Sequence, residues 1–197
     1  MPDEPSNHGS ASNASASKVV FDRADLSRTV IRIAHEIVEK NGDRPFALIG
    51  IHRRGVPVAR RLAAQIADFD GREIPVGELD ISFYRDDIGQ LRESAPVVHS
   101  SSIDFSIDEH VIVLVDDVLY TGRTVRAAID ALFDFGRPPA VQLAVLADRG
   151  HRELPIRPDY VGKNLPTSSD ERVNVRVEEL DGVDEIAIVP TTQAVNS

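Results

Sequence analysis

The sequence predicts an α/β fold, a central and mainly parallel sheet flanked by helices. Two observations predict it. Short apolar runs of strand character alternate with segments of helical periodicity, the order that builds parallel sheets with helices on both faces. The clearest run, Val111 to Val115, is apolar at every position, as expected of a strand buried on both sides.

From Asp25 the residues Leu26, Val30, Ile33, Ala34, Ile37 and Val38 recur at three-to-four spacing and define one helical face, stopped by Asn41-Gly42. Phe46 to Ile51 reads as a short buried strand ending at His52-Arg53-Arg54-Gly55, and a helix follows with Val58, Leu62, Ile66 and Phe69 inward. A second strand is expected over Val76–Tyr84, then a long polar loop from Arg85 to His110. Loops of that length in a compact domain are usually functional or mobile. After the strand at Val111 comes a helix with Val125, Ala128, Ile129, Leu132 and Phe133 inward, closed by Gly136 and Pro138. Val141–Leu146, Val173–Val177 and Glu185–Val189 read as further strands, with an irregular Pro- and Gly-rich segment between the first two. Residues 1–17 are Ser-, Asn- and Ala-rich and expected to be a disordered tail. One domain spans 18–189, and 190–197 form a shorter tail.

The 197 residues suffice for one domain with a full core, and 42% hydrophobic against 27% charged residues is ordinary for a globular protein. There is no cysteine, which excludes a disulfide framework and thiolate metal sites. No apolar run approaches the ~20 residues of a membrane span, and no apolar leader segment is visible. A cytoplasmic location with no membrane partner is expected. The net charge of −10 argues against indiscriminate nucleic-acid binding, DNA included.

The stretch VIVLVDDVLYTGRT, 111–124, drives a buried strand into adjacent carboxylates, Asp116 and Asp117, and then into Thr121-Gly122-Arg123-Thr124. In open α/β sheets ligands bind beyond the carboxyl ends of the strands. The turn leads into a helix whose first amides lack intrahelical partners and carry partial positive charge. Gly122 permits a tight turn and Thr121 and Thr124 add hydroxyls, which together suit a phosphate. The carboxylates suit the 2′ and 3′ hydroxyls of a ribose. The pattern therefore points to a ribose 5-phosphate. No GxGxxG follows a strand and no GxxxxGK[ST] is present.

VIVLVDDVLYTGRT resembles the 5-phosphoribosyl-1-pyrophosphate (PRPP) signature of type I phosphoribosyltransferases. IAHEI, LDISFYRDD, DDVLYTGRTVRAAIDAL, GRPPAVQLAVLADRGHRELPIR and DYVGKNLPTS resemble more closely the PyrR family, which combines pyrimidine-operon regulation with uracil phosphoribosyltransferase activity. The resemblance covers 22–189, and DRGHRELPIR followed by DYVGKNLPTS is its most specific part. It implies the type I phosphoribosyltransferase fold, with a small hood drawn mainly from 150–180. It implies that uracil and PRPP give UMP and pyrophosphate, with Mg²⁺ held mainly through PRPP and no certain protein ligand. The catalytic candidates are Asp116, Asp117, Arg54 and Arg85, the last on a lid that opens with Tyr84. Substrate contacts are implied at Arg53, Arg54, Val118, Leu119 and Tyr120, in the turn Thr121, Gly122, Arg123 and Thr124, and on the base side at Arg149 and Val173. Arg53 departs from the family, which commonly has threonine there. The HRELPIR segment disfavours a purine-type transferase.

Residues 28–61 hold eight Lys/Arg against three acids, a local +5 inside an acidic chain. Arg28, Arg32 and His35 share one face of the first helix. A second basic group, His151, Arg152 and Lys163, follows Arg149. The resemblance supplies a partner, a leader mRNA hairpin bound more tightly when UMP or UTP fills the pocket. Its contacts carry over to Arg32, His35, His151, Arg152 and Lys163. An enzyme without RNA regulation is the alternative. The resemblance further implies a homodimer or higher homo-oligomer.

Overall fold

The computed structural model describes residues 17–82, 84 and 101–191. Its elements are β1 (Lys18–Phe21), α1 (Arg23–Asn41), β2 (Phe46–Ile51), α2 (Gly55–Asp70), β3 (Val76–Leu79), β4 (Val111–Leu119), α3 (Arg123–Leu132), β5 (Val141–Asp148), β6 (Tyr160–Asn164), β7 (Glu171–Arg176), α4 (Glu178–Asp181) and β8 (Glu185–Pro190). A five-stranded sheet runs β3-β2-β4-β5-β6, parallel at every pairing. A small antiparallel sheet runs β1-β8-β7. It draws on 18–21 and 171–190. Of the 150–180 region expected to form a hood, β6 lies in the central sheet.

Strand alternation sorts the core into two layers. Phe46, Leu48, Val111, Val113, Val115 and Leu146 pack with Ile33, Ile37, Leu62 and Ile66 of α1 and α2. Ala47, Ile49, Ile51, Ile112, Leu114, Leu143 and Val145 pack with Val125, Ala128 and Leu132 of α3. Each fully buried Leu, Ile or Val contributes about 1.5–3 kcal/mol, so the all-apolar strands hold the sheet between its helices. This is the expected α/β architecture.

The differences have local causes. α1 starts at Arg23, two residues before the expected Asp25, because Asp22 caps it: the Asp25 amide donates to Asp22 Oδ1 at 2.9 Å, and Asp25 returns the bond to the Asp22 amide. β3 ends at Leu79 rather than Tyr84 because Asp80 Oδ1 accepts the Ser82 amide at 2.8 Å, a local turn that competes with the ladder. β6 was not expected. It is an edge strand, half-exposed and polar, so neither alternation nor a continuous apolar run marks it. A buried polar knot fixes its start. Tyr160 Oη donates to Gln142 Oε1 at 2.8 Å, and Asn41 Nδ2 donates to the same oxygen at 3.1 Å. Burial pushes the Tyr160 phenol up to about 12.

Candidate functional site

The acid pair owes its setting to unequal strand lengths. β4 pairs with β2 only as far as Val115, opposite Gly50, but with β5 through Leu119, opposite Asp148. Asp116 and Asp117 therefore stand where β4 has one strand neighbour, with the start of α2 on the other side. A Cβ on Gly55 would lie 2.1 Å from the Val115 carbonyl oxygen and 3.3 Å from Asp116 Cα, which measures how closely the β2–α2 connection abuts the pair. β4 thus continues past Val115, where the sequence alone suggested it would stop.

Asp116 is only 7% exposed. Its Oδ1 accepts the Asp117 amide at 2.9 Å, and Asp117 Oδ1 accepts the Val118 amide at 2.8 Å. Burial pushes the Asp117 carboxyl above its ordinary range, against the opposing pull of its hydrogen bonds and of the Arg54 guanidinium. Burial thus disfavours the charged form of Asp117, at the point where β4 parts from β2.

α3 begins at Arg123 with Gly122 in the left-handed region, φ +94°. A side chain there would be strained and would meet Leu154 and Ile156 at 3.3 Å. Thr121 Oγ1 accepts the Arg123 amide at 3.3 Å. On the far side of the turn, the Thr121 carbonyl accepts the amides of Glu153 and Leu154 at 3.0 and 3.1 Å. The Arg123 guanidinium donates to Glu153 at 2.6 Å. Val118 and Leu119 are packed into the core and Tyr120 is exposed.

Arg54 stands at the N-terminus of α2 and donates to Asp181 in bidentate fashion, Nη2 to Oδ1 at 2.8 Å and Nε to Oδ2 at 3.2 Å. Asp181 is in turn held by the Val177 amide at 2.9 Å. No sequence pattern singled out Asp181; the only signal was the acidic run EELDGVD between the last two strands. Arg53 is exposed beside a cavity of about 350 Å³ that Arg60, Glu78 and Leu180 also line. Arg149 is 8% exposed. Its Nε donates to Thr167 Oγ1 at 2.8 Å, and its guanidinium also reaches the Glu171 carbonyl and stacks on the Tyr120 ring at 4.0 Å. Val173 lies half-buried on β7. Arg85 and the rest of the loop as far as residue 100 lie outside the described residues; Tyr84, where the lid would open, donates to Asp134, and Ser102 at the far end bridges to Glu78.

The basic stripe is not a row of free cations. Arg28 pairs with Asp25 at 2.6 Å, Lys40 with Asp159 at 2.5 Å and Arg60 with Glu78. Arg61 is shared between Glu179 at 2.6 Å and Asp184 at 2.7 Å. Arg32 pairs with Glu36 and donates to the carbonyls of Val161 and Gly162, both at 2.8 Å. That bond lays α1 against β6 beside exposed Lys163. His35 is exposed and stacks on Phe69, ring centroids 3.8 Å apart. Arg152 folds inward, to Asp148 at 2.5 Å and to the carbonyls of Tyr120 and Ile156 at 2.7 and 2.9 Å. His151 Nε2 meets the Thr167 carbonyl at 2.7 Å.

The acids of the α4 turn have depressed values. The Arg54 hydrogen bond holds Asp181 below the ordinary carboxylate range, and Arg61 does the same for Glu179. Their contribution to stability is therefore present above the ordinary carboxylate pKa and is lost as pH falls through the lower folded values. Asp181→Ala is expected to free the Arg54 side chain and raise the KM for an anionic substrate held at the α2 N-terminus, with a smaller change in kcat and partial rescue by Asp181→Glu. Steady-state kinetics check this; an unchanged KM would remove Asp181 from the site.

A family model described as phosphoribosyl transferase domain matches residues 20–181. A "Bifunctional protein PyrR" from Roseiflexus sp. is 59% identical over 177 residues, 89% of this chain and 96% of the relative. One of the same name from Acetivibrio thermocellus is 61% identical over 170 residues, 86% of this chain and 92% of the relative. Among solved structures, a hypoxanthine phosphoribosyltransferase of Trypanosoma cruzi superposes with a TM-score of 0.66 at 19% identity, over 88% of this chain and 96% of the other. That likeness speaks for the fold alone. A strand carrying paired acids near its carboxyl end, a left-handed glycine opening the next helix, and identities near 60% over nearly the whole length converge: the chain belongs to the phosphoribosyl transferase domain family and, within it, to the bifunctional PyrR proteins.

Proposed function

We propose that the protein transfers the phosphoribosyl group of PRPP to uracil, giving UMP and pyrophosphate, and that the same pocket, holding UMP or UTP, regulates binding of a pyrimidine-operon leader hairpin. The observation that carries the reading is the acid pair at the carboxyl end of β4, leading directly into the Gly122 turn of α3. Uracil N1 attacks C1 of the ribose as pyrophosphate leaves. The α3 N-terminus holds the 5′-phosphate, and Asp116 and Asp117 accept the ribose hydroxyls and face the cationic sugar. Arg54 and the α2 N-terminus receive pyrophosphate, with exposed Arg53 as an added positive charge. Arg149 and Val173 border the base. No side chain is needed as a general base, since positioning and charge stabilisation carry the step.

Among the described residues no group of three or more His, Asp or Glu could hold a metal ion. Mg²⁺ takes one or two carboxylates and otherwise substrate phosphates and waters. When bound with PRPP it supplies charge neutralisation of the leaving pyrophosphate.

RNA recognition rests on α1 lying beside β6, which sets Arg32 next to Lys163, and on His151 in the loop that joins β5 to β6. The internal pairing of Arg32 and Arg152 favours shape and hydrogen bonding over bulk charge as the source of affinity. It is also what an enzyme without RNA regulation would show. One experiment separates the two: binding of a labelled leader hairpin, with and without UMP, beside uracil and PRPP turnover. Arg32→Ala and His151→Ala are expected to weaken the hairpin complex about tenfold or more while leaving turnover within about twofold. Turnover without any hairpin binding would leave the enzyme-only reading; equal loss of both would indicate misfolding.

A further inference from the structure

The turn that would cradle the 5′-phosphate has two sets of hydrogen-bond partners. Within it Thr121 Oγ1 accepts the Arg123 amide, and Gly122 O accepts the Arg126 amide of α3. The carbonyls of Leu119, Tyr120 and Thr121, which lead into it, are tied instead to residues 149–156. Leu119 O accepts the Arg149 amide at 2.9 Å, Tyr120 O accepts Arg152 Nη1 at 2.7 Å, and Thr121 O accepts the Glu153 and Leu154 amides. The exposed Tyr120 ring packs against this segment. One contact is the Arg149 guanidinium, 4.0 Å from its centroid; another is His151, edge-on at 6.1 Å. Arg149 and His151 converge again on Thr167, the first through its hydroxyl at 2.8 Å and the second through its carbonyl at 2.7 Å. His151 itself is held at φ +56°, a backbone conformation that a non-glycine residue keeps only when its surroundings impose it.

We propose that Tyr120 is a positioning residue that couples nucleotide occupancy to RNA binding, holding His151 and the 149–156 segment in their RNA-competent arrangement once a phosphate orders the 121–124 turn. This rests on the function proposed above and adds the route by which one site reaches the other. The physical basis is that each peptide unit of the turn presents its N–H and its C=O in opposite directions. An anion that fixes the amides of the turn thereby fixes the carbonyl acceptors of the 149–156 amides and of Arg152. Tyr120 adds a rigid ring between the base-side arginine and the histidine. Among the described residues its hydroxyl has no hydrogen-bond partner, so the ring and not the hydroxyl is what couples.

The test has two arms. The first measures the ratio of hairpin dissociation constants without and with UMP, each variant saturated with UMP as judged by calorimetry. Coupling between sites is typically about 5–150-fold. Wild type is expected to fall in that range, Tyr120→Phe to match it, and Tyr120→Ala to fall below about one third of the wild-type ratio, whatever its absolute affinities. A wild-type ratio retained by Tyr120→Ala overturns the coupling role. The second arm follows amide hydrogen exchange of the unmutated protein on adding UMP, and so decides the matter even where Tyr120→Ala fails to fold or to bind UMP. The Glu153 and Leu154 amides are expected to slow at least severalfold together with the 121–124 segment. Slowing at 121–124 with 150–156 unchanged overturns the coupling and leaves the nucleotide site standing. No slowing at 121–124 removes the nucleotide site, and the coupling falls with it.

Discussion

Asparagine at both 116 and 117 is expected to cut uracil-dependent pyrophosphate release by about 10²-fold or more, with circular dichroism and chromatographic behaviour unchanged. The size follows from where the charge sits. In the free protein the Asp117 carboxyl is pushed upward by burial, only partly offset by Arg54. In the function proposed above, its negative charge finds a full counter-charge only when the ribose becomes cationic. An interaction stronger in the transition state than in the ground state is the kind that raises kcat. Asparagine keeps the shape and the hydrogen bonds to the Asp117 and Val118 amides but removes the charge. The same reasoning gives a stability effect of opposite sign for the single change Asp117→Asn. A carboxyl whose folded pKa is raised contributes stability that is fully present below its unfolded pKa and is lost as pH rises through the folded value. Asparagine is neutral throughout. The variant should melt like wild type at acid pH and higher than wild type near neutrality. Thermal unfolding at several pH values checks this; a lower melting temperature at neutral pH would show that the Arg54 attraction outweighs burial.

What the chain's one-dimensional pattern reveals, and what it hides, follows from the range of the interactions involved. The central strands were legible because burial on both faces leaves a continuous apolar run, as in Val111–Val115. α1 and α2 were legible because their apolar faces repeat at helical spacing, although Phe69, expected inward at the end of α2, is exposed and stacks on His35. β6 was hidden because an edge strand with one buried face needs little apolar content, and after Tyr160 and Val161 the residues Gly162, Lys163 and Asn164 carry no strand signature. The acid pair and the Gly122 turn were legible since strand, acids, glycine and hydroxyls are contiguous. Asp181 was not, because its partner Arg54 lies 127 positions away and nothing local marks one glutamate or aspartate of EELDGVD over another. The basic stripe was legible as composition and misleading as a count of free charge. Arg61, Lys40 and Arg54 find their acids across the fold at Glu179, Asp159 and Asp181, and only Arg28 and Arg32 find theirs on the same helix.

Gly55→Ala is expected to be among the most destabilising single changes in the molecule, by about 3 kcal/mol or more. Added methylenes in packed regions usually cost less because side chains can rotate aside. Here the obstruction is backbone: the new Cβ would stand 2.1 Å from the Val115 carbonyl oxygen and 3.1 Å from its carbon. Val115 belongs to the central strand, whose ladder to β2 closes at that residue. Moving the oxygen breaks the last parallel pairing, and moving α2 strips Val58 and Leu62 from the core layer they share with Val113 and Val115. Either displacement also shifts Asp116, whose Cα lies 3.3 Å from the same Cβ, so residual turnover should fall further than residual folding. Thermal unfolding gives the first quantity, and turnover per folded molecule at a temperature well below the transition gives the second. A near-normal melting temperature would mean that the β2–α2 connection can stand off from β4, and the narrow crevice that aligns Arg54 with the acid pair would no longer follow from the fold.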